Sequence, residues 1–252
     1  MQSLENFAST IRFEIIKMSM EGESPHLGSS LSCVDLIITA YNFFLKIDPK
    51  NPSDPLRDRF ILSKGHGCWV YYVILRELGF NPTLEGHPHY EPENGVWCTA
   101  GSMGHGLPVG MGQALARKLK GQDDKIFVLM GDGECQEGTT WESLLIAGHL
   151  KIDNLIAIID NNKIQGSGFV DDIMPAISSV DAAARTAGWE VIHIDGHNEE
   201  LCGIEFDKQD KPILIIADTI KGKGVSFMEG QPKWHSNWLG GDFLKQALEE
   251  LS

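Results

Sequence analysis

Residues 126–168 read IFVLMGDGECQEGTTWESLLIAGHLKIDNLIAIIDNNKIQGSG. An apolar run rich in β-formers, Ile126 to Met130, stops at Gly131-Asp132-Gly133. A helical segment follows, and a second apolar run, Leu155 to Ile159, stops at Asp160-Asn161-Asn162. The intervening length is what a helical crossover needs to return the chain to a parallel strand. Parallel strands end on one sheet edge, where open α/β sheets take their ligands. The spacing therefore predicts that Asp132 and Asn162 meet. A carboxylate, an amide oxygen and a neighbouring backbone carbonyl make a partial oxygen cage suited to Mg2+ or Ca2+. Gly131 and Gly133 leave the main chain open to a bulky anion. The plainer alternative is a βαβ unit whose Asp and Asn cap turns.

Composition narrows what such a site does. The 252 residues suffice for one large α/β domain. With 21 basic and 35 acidic residues the formal charge is −14, which disfavours nucleic acid and anionic membranes as partners. A bound anion would depend on a metal ion and local amides. No apolar run has the length of a membrane span, and the N-terminus lacks a signal-peptide pattern. The five cysteines (Cys33, Cys68, Cys98, Cys135, Cys202) are scattered without a CxxC pair. That argues against zinc and a disulfide framework, and makes a reducing cytoplasm the default expectation.

Around the central unit the pattern alternates. Helical spacing covers Leu4 to Met20, and a more uniformly apolar helix is expected over Ser32 to Leu45, after a Gly28-Ser29-Ser30 turn. A Pro-rich loop, 51–58, leads into a short strand at Arg59 to Leu62. Helices are expected over 67–78, 107–120 and 181–187, strands over 190–194 and 212–217. Residues 81–99 read as an irregular loop. A closing helix spans 243–251, with Asp242 as its N-cap. Strands alternating with helices predict a doubly wound, mostly parallel sheet.

Three further motifs carry histidines: Ser24-Pro25-His26-Leu27-Gly28, Ser63-Lys64-Gly65-His66-Gly67 and Gly86-His87-Pro88. The second is a Gly-rich turn at a helix start, a place for an anion. Each histidine alone reads as a turn residue. In order, followed by Ala100-Gly101-Ser102-Met103-Gly104 and the GDG…NN pair, they resemble the N-terminal part of the transketolase family. So does the tail, KGKGVSFME at 221–229 followed by Trp234-His235.

That resemblance implies the thiamine-diphosphate-binding fold, with residues 1–252 forming the diphosphate-binding domain. It implies metal ligands at Asp132, the Asn162 side-chain oxygen and the Ile164 carbonyl. The cofactor contacts it implies are His66, Gly101, Met103, Gly131, Asp132, Gly133, Glu137 and Asn162. His26, His66, His87 and His235 would serve the reacting sugar, together with Glu137 in proton transfer. Pro25 before His26, AGSMGHG where the family usually has TGxLGxG, and a compact 82–96 loop with an extra His89 depart from the usual pattern. These departures bear on which sugar is used.

Two motifs admit other readings. Gly104, Gly106 and Gly110 mimic a dinucleotide fingerprint, but the spacing is GxGxxxG, without a properly placed acidic residue at the end of a following strand. Thr139 with Glu142 fits a capping box, with Glu137 favouring the same helix start. The resemblance instead places Glu137 and Glu142 in a carboxylate channel between two active sites.

The resemblance further implies transfer of a two-carbon ketol unit between sugars or sugar phosphates. The glutamate that activates the cofactor belongs to a pyrimidine-binding domain, which the family places beyond this one. With Ser252 ending a helix, the expectation is a split enzyme in which a separate C-terminal subunit supplies the pyrimidine-binding and C-terminal domains, in an α2β2 assembly. Alternatives are the α-like chain of another two-chain thiamine enzyme, such as a 2-oxo acid dehydrogenase E1 or a specialised ketol transferase, and a non-catalytic cofactor-binding homologue.

Overall fold

The computed structural model describes residues 4–20, 25–206 and 210–252, so Ser24 of the first histidine motif lies outside the described residues. In chain order the strands are β1 (Arg59–Leu62), β2 (Ile126–Gly131), β3 (Leu155–Asn161), β4 (Ile164–Gln165), β5 (Gly168–Phe169), β6 (Glu190–Asp195) and β7 (Ile213–Asp218). β4 and β5 pair as a small antiparallel ribbon. The others form one parallel sheet in the order β1-β2-β3-β7-β6.

The sheet is buried on both faces, which explains its apolar runs. Successive side chains on a strand point to opposite faces. On β2, Phe127 and Leu129 join one core, while Ile126, Val128 and Met130 join the other. The first core is covered by α1 (Leu4–Ser19), α2 (Leu27–Leu31), α3 (Val34–Thr39) and α4 (Cys68–Glu77). The second is covered by α5 (Gly106–Leu119), α6 (Gly138–His149) and, after the one-turn α7 (Val170–Ile173), α8 (Ile177–Ala187). The last helix, α9 (Gly241–Glu250), contributes Ala247 to the first core. The doubly wound expectation holds.

Several local expectations change. The helix expected over 32–45 is broken: α2 starts at Leu27 and takes in the Gly28-Ser29-Ser30 turn, and α3 ends in a widened π-helical turn over Ala40–Phe44. The break sits where the Ser32 hydroxyl donates to the Asp160 carboxylate at 2.6 Å, tying this segment to β3. Asp242 lies inside the first turn of α9, and the cap position is Gly240. α8 starts earlier than expected, with Val180 and Ala184 buried on its inner face. The capping box is not formed: α6 begins at Gly138, and the Thr139 hydroxyl donates to the Gly104 carbonyl at 2.9 Å. Glu142 is exposed. Among the described residues no helix is long and apolar enough to cross a membrane.

Candidate active site

Register brings the strand ends level. Gly131 on β2 faces Asp160 on β3, and Asn161 faces Asp218 on β7. Asp132 and Asn162 therefore emerge side by side at the carboxyl edge of the sheet. Asp132 is 3 % exposed; its carboxylate accepts the Gly133 amide at 2.8 Å and the Lys163 amide at 2.6 Å. The Asn162 oxygen accepts the Ile164 amide at 3.1 Å. The turn between them passes through Lys163, whose φ of 70° is left-handed. Asp132 and the 162–164 turn are thus one unit.

Beneath them lies a buried charge network that no motif of the sequence announces. Asp160 is 0 % exposed and forms an ion pair with Lys64, itself 1 % exposed at the end of β1. Asp160 also accepts from Ser32, from the Thr219 hydroxyl after β7, and from the Asn162 amide at 2.9 Å. The Lys64 ammonium further donates to the Ser29 carbonyl at 2.8 Å. Burial opposes both charges, yet their mutual attraction prevails, so the Asp160 carboxyl is held below its ordinary range and the Lys64 ammonium above its own. Lys221, 1 % exposed, donates to the Ile164 carbonyl at 2.9 Å. Burial and the Lys64 charge push Lys221 down to about 7, while burial and the Asp160 charge push Asp132 up to about 6. Both lysines stand in motifs the sequence displays, but a lysine in a loop reads as a solvated charge until its burial is known.

Glu134 is a second residue the sequence did not single out. It is 1 % exposed, two residues beyond Asp132. One carboxylate oxygen accepts from Ser63 at 2.5 Å and from the Gly104 amide at 2.9 Å; the other accepts the Gly131 amide at 2.7 Å. Glu134 therefore ties the 101–106 loop to the ends of β1 and β2. Gly106, whose amide donates to Ser63 at 3.1 Å, sits so close that a Cβ there would lie 2.4 Å from the Ser63 side chain. Of the glycines that mimic a dinucleotide fingerprint, Gly106 and Gly110 are thus contact points of α5 with the sheet, while Gly104 faces Glu137 and Thr139.

The four predicted histidines converge at the same edge. His26 lies 5.6 Å from His66, 6.5 Å from His87 and 5.4 Å from His235 between ring centroids, and His66 lies 5.3 Å from His235. Burial, with the charges of Lys221 and Lys64 adding to it, pushes His235 down to about 3. Burial and the same two lysines also hold His66 well below its ordinary value. His26 and His87 are lowered, chiefly by burial. All four are neutral imidazoles near neutral pH, each offering one donor and one acceptor. The His235 Nδ1 is buried without a hydrogen-bond partner among the described residues. Gly101, at φ 130°, runs against the His87 ring. Met103 is exposed, and the Glu137 stem packs on Gly104.

The donor chemistry fits a hard cation and an anion. Asp132, the Asn162 oxygen and the Ile164 carbonyl are all oxygen donors, the set that Mg2+ and Ca2+ prefer. A Cβ built on Gly131 would meet no atom closer than 3.8 Å, so the main chain there is open to a neighbour.

The family described as transketolase, thiamine diphosphate binding domain, matches residues 3–252. The chain belongs to the transketolase family. It is 40% identical to an apulose-4-phosphate transketolase subunit from Actinobacillus succinogenes, over 98% of this chain and 95% of that one. Identity to the 6-deoxy-6-sulfo-D-fructose transketolase subunit SqwG of Clostridium sp. is 38%, over 90% and 88%. The crystal structure of transketolase from Campylobacter jejuni superposes with a TM-score of 0.86 at 33% identity, covering 100% of this chain and 43% of that one. This transketolase-family chain therefore spans less than half of that longer transketolase chain, and nearly all of the relatives named as subunits.

Proposed function

We propose that this chain is the diphosphate-binding subunit of a two-chain transketolase, dependent on thiamine diphosphate and a divalent cation. It would move a two-carbon ketol unit from a ketose or ketose phosphate to an aldose or aldose phosphate. One observation carries this reading. The oxygen donors of Asp132, Asn162 and Ile164 share a sheet edge with His26, His66, His87 and His235.

In this reading Asp132, Asn162 and the Ile164 carbonyl hold Mg2+ or Ca2+. The open main chain at Gly131, with Gly133, His66 and Lys221, receives the diphosphate, and Gly101, Met103 and Glu137 belong to the cofactor's other end. When bound, the cofactor supplies a carbanion and an electron sink, which no side chain of this protein offers. The neutral histidines hold sugar hydroxyls and pass protons at sugar oxygens during bond cleavage and formation. Glu134 keeps the 101–106 loop rigid, so that loop groups keep their place relative to Asp132.

The relatives named as subunits support a separate partner chain; in this reading it carries the pyrimidine side, in a cytoplasmic α2β2 assembly. Exposed Leu145 and Ile146 on α6, with Leu150 just beyond its end, offer an apolar face for such contacts. The test is reconstitution. Purified with its second subunit, thiamine diphosphate and Mg2+, the chain should transfer ketol units within a panel of ketose and aldose phosphates and unphosphorylated sugars. Either chain alone should be inactive. Turnover by this chain unaided would overturn the split, and a complex that takes up no cofactor would overturn the activity.

A further inference from the structure

His197 stands outside every motif described above. It lies in the turn after β6, and its ring bridges two elements. Nδ1 is 2.7 Å from an Asp35 carboxylate oxygen, and Nε2 is 2.8 Å from the Ile220 backbone nitrogen. An amide N–H only donates, so Nε2 is the acceptor and Nδ1 carries the proton given to Asp35. Asp35, on α3, also accepts from the Arg12 guanidinium of α1 at 2.5 Å. Burial opposes the Asp35 charge, but the hydrogen bond from His197 and the charge of Arg12 outweigh it and hold the carboxyl below its ordinary range. The imidazole is thus fixed from behind by two helices.

The residue it grips opens the turn that carries Lys221. The Ile220 side chain is 38 % exposed. On either side, the Thr219 amide donates to the Asn161 carbonyl at 3.3 Å and the Gly222 amide to the Gly28 carbonyl at 3.0 Å. Between these two anchors the His197 bond holds the Thr219–Ile220 peptide, one residue before the Cα from which the Lys221 stem runs to the Ile164 carbonyl.

We propose that His197 is a positioning residue: through the Ile220 amide it sets the turn that delivers the Lys221 ammonium to the Asp132–Ile164 site. The consequence for cofactor uptake rests on the place given to Lys221 in the proposed function, and the experiment separates the two. Asparagine matches the Nδ1 position and glutamine matches the Nε2 position, so only glutamine keeps an acceptor for Ile220.

The measurement is titration of thiamine diphosphate in Mg2+ into the full chain with its second subunit, followed by calorimetry, with thermal unfolding of each variant alongside. Lys221→Met should weaken uptake. His197→Asn should weaken it by about tenfold, the scale of lost support behind a ligand, while His197→Gln stays close to wild type. The double variant H197N/K221M should bind no more weakly than K221M, because His197 acts through Lys221. If H197N binds like wild type while K221M is weakened, the positioning role is wrong and the cofactor reading stands. Additive losses in the double variant, or equal losses for H197N and H197Q, also overturn it. Wild-type uptake by K221M would overturn the place given to Lys221 itself.

Discussion

Lys64 and Asp160, from the ends of β1 and β3, form an ion pair that solvent does not reach, their side chains being 1 % and 0 % exposed. Such a pair is costly to break from one side, because the remaining charge is left buried and uncompensated. Lys64→Met should therefore destabilise the chain by about 3–5 kcal/mol, and Asp160→Leu by a similar amount. The double variant should recover part of that loss. Urea unfolding of the three proteins checks this, and an unchanged midpoint for Lys64→Met would contradict it.

Glu134 satisfies two backbone amides and one hydroxyl at once. Glu134→Ala orphans the Gly104 and Gly131 amides, each worth about 1–3 kcal/mol when buried. Unfolding free energy should fall by about 3 kcal/mol, and cofactor uptake should weaken because the 101–106 loop loses its anchor. Loss of stability with unchanged uptake would confine Glu134 to the fold.

The histidine cluster gives the chain a signed pH dependence. His235 has an ordinary value of 6.5 and falls to about 3 when folded. Its contribution to stability is fully present above 6.5 and is lost as the pH drops below it, since the unfolded chain takes the proton first. Asp132, raised from 3.8 to about 6, works in the opposite direction over part of the same window. Comparing wild type with His235→Asn isolates the histidine. Thermal midpoints between pH 7 and pH 5 should fall more steeply for wild type than for the variant. Parallel curves would contradict a neutral, desolvated His235.

The central fold was legible because the strands are buried on both faces and so write themselves as apolar runs with abrupt polar stops. The meeting of Asp132 with Asn162, and the candidacy of His26, His66 and His87, were legible because these residues stand beside glycine or proline or at strand ends, whereas His235 was reached only through the family resemblance of the tail. Lys64, Lys221 and Glu134 were not, since their roles come from burial at long sequence separation: Lys64 meets Asp160, and Glu134 meets Ser63 and Gly104. The break near Ser32 was hidden for the same reason, because the Asp160 partner that ends the helix lies on β3. The Thr139–Glu142 capping pattern failed where a tertiary acceptor, the Gly104 carbonyl, took the hydroxyl.

Gly104 combines a left-handed φ of 74° with a wall: a Cβ there would lie 2.6 Å from the Glu137 Cβ. Gly104→Ala should cost about 1–3 kcal/mol from backbone strain alone and shift Glu137 at the start of α6. A thermal melt together with a cofactor titration checks both effects. Wild-type values in both would show that the loop relaxes freely.

The most direct measurement is calorimetric titration of thiamine diphosphate, with Mg2+ and with chelator, into the two-chain complex carrying wild-type or Asp132→Ala protein. Wild type should bind in a metal-dependent manner, and the variant should bind at least about 100-fold more weakly, as expected for loss of a direct ligand rather than its support. Equal, metal-dependent affinity in both proteins would contradict the assignment of the β2 and β3 ends as the cation and diphosphate site.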